Sequence, residues 1–305
     1  MNAIMALRTL LHLAALLALP PLLLGIVNRT KAVFAGRVGP PLVQPYLDLA
    51  KLLRKGAVYS RTTTWVFRAG PVIGLAAVAT AGLLLAMGGA PAALSFGGDF
   101  VLFAYLLGLA RFFTALAALD TGSPFEGMGA AREVTFASLA EPALFLCLLV
   151  LARATGTMSL SGMLGPALPA AWGSAGPALL LAAIALFVIA LAENARIPVD
   201  DPNTHLELTM IHEVMVLDHG GPDLAFILYG ASLKLFLFGA ILSRLVLRGG
   251  GALAAEGLFF LGVLVFAVGV GVVESVMARL RMVRVPQLLV GASVLAVFAL
   301  VLLLR

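Results

Sequence analysis

Eight stretches of this sequence are apolar over the length needed to cross a bilayer, and that pattern leaves few folds open. They lie near residues 9–27, 71–88, 100–119, 134–152, 175–195, 223–243, 257–278 and 285–304. A helix needs roughly 20 mostly apolar residues to span the hydrocarbon core, where every backbone N–H and C=O must be satisfied within the segment. The chain as a whole agrees, with 62% of its 305 residues hydrophobic and 11% charged and a mean hydropathy of +1.08. A soluble core of that composition would lack polar surface to cover it, and disorder needs the opposite balance. The single cysteine, Cys147, lies inside an apolar run, so neither a disulfide framework nor an iron–sulfur cluster held by this chain alone is open to it. The expected fold is an all-α integral membrane protein, a bundle of about eight transmembrane helices forming a single domain over residues 1–305.

The basic residues set the expected orientation. Thirteen Lys and Arg fall on one side of the spans, eight of them between residues 28 and 69, and five fall on the other. Positive charge collects on the cytoplasmic side of membrane proteins, so loops 28–69, 120–135 and 196–222 should face the cytoplasm of a multi-pass plasma-membrane protein. Both termini should face away from it. The first apolar segment resembles a signal peptide in length, but Ala18-Leu19-Pro20-Pro21 offers no small-residue cleavage site, so it reads as a retained helix. The net charge of +5 sits between the spans rather than on one continuous solvated face, which argues against nucleic-acid binding.

Two polar stretches stand out on the basic side. After a Gly39-Pro40-Pro41 turn, Gln44, Asp48, Lys51 and Lys55 recur at helical spacing, with Tyr46, Leu47, Leu49, Leu52 and Leu53 on the other face. That pattern predicts an amphipathic helix in the interface plane, serving either as a passive anchor or as a platform for a cytoplasmic partner. The second stretch runs from Glu193-Asn194-Ala195-Arg196 through Pro198 and Asp200 to His212-Glu213 and Asp218-His219. Pro198 ends the fifth span, Glu193 and Arg196 are spaced to pair on its last turn, and Asn203 or Thr204 is placed to cap a short helix reaching about Leu217. Histidines 205, 212 and 219 are seven residues apart, about 10.5 Å of helical rise, too far to share one metal ion. The acidic density of this loop fits a cavity that accepts protons.

Inside the spans, Arg111, Glu141 and Lys234 lie near mid-membrane, and Glu193 and Glu274 lie toward the basic side. A charge at the bilayer centre costs roughly 2.5–3.5 kcal/mol on insertion scales, so such residues should face the bundle interior. Pro142 follows Glu141 and frees the carbonyl of Ser138, which suits a hydrated path; a static ion pair such as Arg111 with Glu141 is the alternative. Gly70 and Gly74 match the small-xxx-small spacing of close helix packing. No phosphate loop, nucleophile elbow or cysteine-pair ligand motif is present, so the chain reads as a non-catalytic subunit.

Three of these features, taken in order, resemble the respiratory complex I subunit 1 family. They are Arg37-Val38-Gly39-Pro40 with Gln44-Pro45, Asp48 and Lys51-Leu52; Arg132 and Glu141 nine residues apart; and Ala192-Glu193-Asn194 with Arg196, Pro198 and Asp200. Val199 stands where complex I subunits usually carry Phe. Asp201-Pro202-Asn203-Thr204-His205-Leu206-Glu207, with Gly122-Ser123-Pro124-Phe125-Glu126-Gly127 earlier, is similar to the hydrogenase branch, the membrane subunits of formate hydrogenlyase and energy-converting [NiFe] hydrogenases. The resemblance implies no cofactor in this chain. It implies a [NiFe] centre and iron–sulfur clusters in partner subunits, a hydrogenase large subunit and a small iron–sulfur subunit docked on the cytoplasmic face, and antiporter-like membrane subunits alongside in the lipid bilayer.

Burial cost and resemblance together assign a proton path to Glu141, Glu193, Glu207, Glu213, Asp200 and Glu274, with Arg111, Arg132, Arg196 and Lys234 as counter-charges. Arg37, Gln44, Asp48 and Lys51 form the expected docking surface. The leading expectation is a membrane-anchoring and ion-coupling subunit that links cytoplasmic redox chemistry to proton or sodium movement. Two rivals are a quinone-chamber subunit of a NADH:quinone oxidoreductase and a stand-alone secondary ion transporter, the latter leaving the interfacial helix and acidic loop without a role.

Overall fold

The computed structural model describes residues 3–88, 92–201, 210–247 and 252–304. They fold into helices α1 (Ala3–Phe34), α2 (Gln44–Leu53), α3 (Trp65–Leu83), α4 (Asp99–Asp120), α5 (Pro124–Thr155), α6 (Leu160–Met163), α7 (Leu168–Glu193), α8 (Gly221–Val246), α9 (Ala252–Val276) and α10 (Val285–Leu302). All but α2 and α6 are long and apolar enough to cross a membrane, giving eight spans among the described residues. Eight crossings return the chain to the side on which it began, opposite the short amphipathic α2.

Local chemistry sets the helix ends. Asp120, the last residue of α4, accepts from the backbone N–H of Thr64 at 2.6 Å and of Phe67 at 3.2 Å. One carboxylate thus satisfies donors that the first turn of α3 leaves unpaired and suits the positive end of that helix. The two helices then pack closely: a Cβ on Gly70 would stand 3.0 Å from the Ala117 methyl and 3.2 Å from the Phe113 carbonyl, so Gly70 is where α3 and α4 nearly touch. Ser123 and Pro124 start α5 ten residues before the expected span, because proline suits the first helical position, where no N–H is needed. Most of the expected loop 120–135 is therefore helix, and Arg132 and Glu133 project from a rigid rod. With 32 residues, α5 is about 48 Å long, well beyond the hydrocarbon thickness.

Two prolines inside α1 leave a mark on their neighbours. Pro21 has no N–H for the carbonyl of Leu17 four residues earlier. Tyr229 of α8 donates its hydroxyl to that oxygen at 2.8 Å, and Tyr46 of α2 donates to the adjacent carbonyl of Ala18. The surface helix and a membrane helix are thus both fastened to the proline segment of α1.

The connection after α7 departs from two expectations. Ala195 adopts a left-handed conformation, φ 49°, and the N–H of Arg196 bonds back to the carbonyl of Leu191 at 2.8 Å while that of Ala195 reaches Ala192 at 3.2 Å. This is a Schellman reversal, which carries Arg196 away from Glu193, and the expected pair between them does not form. The short helix expected up to Leu217 is also missing where it is described: Met210–His212 is non-helical and only a 3-10 turn follows at Glu213–Val216. Asp200 explains this, since its carboxylate accepts from the N–H groups of Ile211 at 3.2 Å and His212 at 3.0 Å, holding the returning chain against the end of α7 in place of helical bonds. The proposed caps at Asn203 and Thr204 lie outside the described residues.

Alanine at a left-handed helix cap is strained, whereas glycine is not. Ala195→Gly is expected to leave the fold intact and to raise stability by up to about 1 kcal/mol, read as an equal or higher thermal midpoint of the purified chain in detergent.

Candidate functional site

The site is built around one guanidinium. Arg111, the 13th of the 22 residues of α4, is buried at 8% exposure and meets three carboxylates. Its Nη1 pairs with Glu141 of α5 and its Nη2 with Glu193 of α7, while Nε lies 3.1 Å from Glu133 of α5. Lys234 of α8 approaches the other oxygen of Glu193 at 3.6 Å. Four helices therefore contribute three carboxylates and two cations, a formal excess of one negative charge. Ion pairing is what makes these groups tolerable inside the membrane, and an odd charge count leaves the set able to take up one proton.

Two internal cavities border this cluster. One of about 80 Å³ between α3, α4 and α8 is lined by Arg111, Thr114, Glu193, His212 and Lys234. A smaller one of about 20 Å³ reaches from Arg111, Glu133 and Glu193 to Asp200. A space of roughly 10–15 Å³ with several polar partners suffices for a water molecule, so both are hydratable and both share the walls formed by Arg111, Glu133 and Glu193. Beyond Arg111, Glu141 opens onto a groove between α4 and α5 at the flank of the bundle.

The other residues singled out from the sequence fall into separate places. Asp200 is buried, pairs with Arg279 at 2.8 Å, and holds the 210–212 segment as described. Glu274 is buried between Lys31 of α1 at 2.8 Å and Arg196 at 3.3 Å. Arg132 donates to the carbonyl of Met210 at 2.9 Å, tying α5 to the same returning segment. Glu213 opens the 3-10 turn, half-buried. Glu207 lies outside the described residues. On α2, Gln44 donates to Asp48 at 2.8 Å, and Asp48, Lys51 and the nearby Arg37 are exposed, with Leu47 and Leu53 also uncovered. Among the mid-membrane charges Glu141 departs from the expectation of facing inward, since its side chain is 46% exposed.

Sequence reasoning missed Glu133 and Lys31. Glu133 stands eight residues before Glu141, two helical turns away on the same face, with Ala137 between them; that spacing was the available signal. Lys31 was hidden because α1 continues past the expected end of the first span. His212, noted only for its place in the acidic loop, borders the larger cavity.

The two histidines of this loop have a shared electrostatic character. Burial pushes the His212 imidazole below the ordinary histidine range; Lys234 and Arg111 act in the same direction, against Glu133 and Asp200. Burial does the same to His219, against Asp223 and Asp218, and His219 stacks flat on Phe67 at 3.9 Å between ring centres.

With this geometry in hand, the comparisons decide the family. The family model described as "NADH dehydrogenase" matches residues 7–305. The chain belongs to the NADH dehydrogenase family. Within that family it is 34% identical to hydrogenase-4 component C of Escherichia coli (strain K12), over 78% of this chain and 74% of that protein. It is 30% identical to formate hydrogenlyase subunit 4 of the same organism, over 92% of each, and 28% identical to a NADH-quinone oxidoreductase membrane component of Rubrobacter xylanophilus, over 70% of this chain and 64% of that one. The fold is shared with a chain in the structure of the membrane-bound sulfane sulfur reductase, an archaeal respiratory membrane complex, with a TM-score of 0.83 at 22% identity, covering 98% of this chain and 99% of that chain. The NADH dehydrogenase family thus accounts for the sequence resemblance and for the eight-span architecture.

Two outcomes follow from the site. Arg111→Gln leaves three carboxylates facing one lysine and should cost about 3–5 kcal/mol, the usual penalty for breaking a buried pair, seen as a large fall in folded yield and thermal midpoint; Glu141→Gln, which removes a half-exposed group, should cost much less. For the histidines, the folded state holds them neutral while the unfolded chain takes protons near the ordinary value of about 6.5, so their contribution is complete above that pH and is lost as pH falls through it. Thermal stability should decline between about pH 7 and 5.5, and His219→Gln should flatten part of that slope.

Proposed function

We propose that this chain is the membrane-anchoring and ion-coupling subunit of a formate hydrogenlyase-like or energy-converting [NiFe] hydrogenase complex. The observation that carries the reading is the Arg111 cluster, in which three carboxylates share two cations beside hydratable cavities, in a chain related over nearly its full length to a formate hydrogenlyase subunit. The α2 side faces the cytoplasm, in line with the positive-inside excess, and both termini face away from it. There α2 and the loop after α7 receive the hydrogenase large and small subunits, which carry the [NiFe] centre and the iron–sulfur clusters. Antiporter-like membrane subunits stand alongside in the bilayer.

In this scheme protons enter near Glu213, Glu207 and His212 and reach Glu193 and Glu133 through the larger cavity. A proton arriving on either carboxylate removes the excess negative charge and loosens that group's hold on Arg111, so the guanidinium redistributes toward Glu141. Lys234 limits how far the Glu193 charge is relieved. Asp200 and Glu274, each held by close cations, act chiefly by positioning the loop and the α2-side ends of α1 and α9. A movement of the docked redox module on the 210–213 segment shifts His212 against the cavity wall, which is how redox chemistry outside the membrane biases protonation inside it.

The test begins with gentle solubilisation from the native membrane, mass spectrometry of co-purifying subunits, and assay of nickel, iron and flavin. Stoichiometric nickel with a two-subunit hydrogenase is expected; flavin and iron without nickel would move the chain to a quinone-reducing complex, and a lone metal-free chain would favour independent transport. In proteoliposomes of the nickel-containing complex, Glu193→Gln should keep hydrogen evolution and lose most of the accompanying ion movement. Undiminished ion movement in that variant would refute the relay.

A further inference from the structure

The groove between α4 and α5 is the largest cavity on the flank of the bundle, about 640 Å³. Along α4 its lining runs from Leu102 to Ala115, about 20 Å of helical rise, the length of a packed helix rather than of a small ligand. Its exposed apolar side chains, Leu102, Tyr105, Leu109 and Phe112, recur at spacings of three, four and three, the spacing of a seam that receives a second helix. Lipid chains cover such a stripe equally well. Glu141 is what distinguishes the two cases.

Glu141 is the 18th of the 32 residues of α5, and it lies opposite Gly108 of α4, where a Cβ would stand 3.5 Å from its Oε1. Its Oε1 pairs with Arg111, and no hydrogen bond reaches its Oε2 among the described residues. The nearest hydroxyl on the groove, that of Ser138, is already committed to the carbonyl of Thr135 at 2.8 Å. Arg111 is shared with Glu133 and Glu193, so it cannot neutralise Glu141 fully, and the excess charge of the cluster falls on the one carboxylate that opens outward. A hydrocarbon chain supplies neither a donor nor a counter-charge to an oxygen at that depth.

We propose that the α4–α5 groove receives a transmembrane helix of a neighbouring membrane subunit, and that this helix places a lysine against Oε2 of Glu141. A lysine fits better than an arginine because only one carboxylate oxygen is free, leaving a guanidinium fork without its second acceptor. The four-carbon stem of a lysine also lies along apolar walls such as Tyr105 and Phe112 while its ammonium reaches the carboxylate. From the reading above the proposal takes only that the chain works inside a multisubunit membrane assembly. Purification as a lone chain removes that premise, whereas the chemistry below tests the lysine within whatever assembly is found.

The intact complex in native membranes is treated with dicyclohexylcarbodiimide, a lipid-soluble reagent, and digested for mass spectrometry. The reagent activates a carboxyl group; an adjacent amine then displaces it to form an amide, the elements of water leaving with the reagent as its urea. The expected product is an amide between Glu141 and a lysine of another chain, and it should be absent from Glu141→Gln. Glu141 recovered as the acylurea, recovered unmodified, or joined to Lys234 of its own chain overturns the proposal. As a second reading, Tyr105→Cys should react with a lipid-soluble maleimide roughly an order of magnitude more slowly in the complex than in the isolated chain, because packed interface cores exclude reagents. Equal rates would leave lipid as the occupant and overturn it as well.

Discussion

Arg111 is the point at which four helices are held to one another by charge. Its three carboxylate partners come from α5 and α7, and Lys234 of α8 closes the set through Glu193. Five charges left separately in the membrane would each cost about 2.5–3.5 kcal/mol on insertion scales, whereas an opposite pair at about 4 Å recovers about 4 kcal/mol at an effective dielectric of 20. The two terms are close in size, so no single pair is strongly stabilising and the cluster is balanced. A balanced cluster changes partners when one proton arrives; an overwhelmingly favourable one does not.

The same constraint organises the α2 side. The chain leaving α7 must pass close to Glu193 without adding an uncompensated charge, and the reversal at Ala195 does this by sending Arg196 to Glu274. Asp200 then pins the returning segment through two backbone N–H groups, and Arg132 secures it again through the Met210 carbonyl. His212 is thereby placed on the wall of the larger cavity, connected to the surface loop yet bordering the buried cluster. Membership of the NADH dehydrogenase family and descent alongside hydrogenase subunits give this arrangement its context, but the placement of His212 follows from three local hydrogen bonds.

The spans, the amphipathic α2 and the mid-membrane charges were legible because burial in lipid writes itself into composition: each needs a long apolar run or an isolated charge that no solvent can relieve. The pairing of those charges was only partly legible. Arg111 with Glu141 followed from depth along two neighbouring helices, but Glu193 with Arg111 depends on how far α7 extends past its kink at Ala175. The local pair of Glu193 with Arg196 was wrong because a left-handed alanine carries no sequence signature, unlike a glycine. The helix expected before Leu217 failed for a related reason, since a tertiary carboxylate, Asp200, satisfied N–H groups that propensity alone assigns to a helix. Glu133 was overlooked on α5 because the expected span began one residue after it.

The two tyrosines bonded to α1 give the surface helix a mechanical role. Tyr46 fastens α2 to the carbonyl of Ala18, and Tyr229 fastens α8 to the adjoining carbonyl of Leu17, so both hydroxyls meet at the place where proline has stripped the span of its own bonds. A force applied to α2 by a docked protein is therefore not spent in the headgroup layer. It passes through the weakest-bonded turn of α1 into α8, and Tyr229 lies only five residues, about 7.5 Å of helical rise, from Lys234. The surface helix is thus one end of a strut, and the cation that faces Glu193 is near the other.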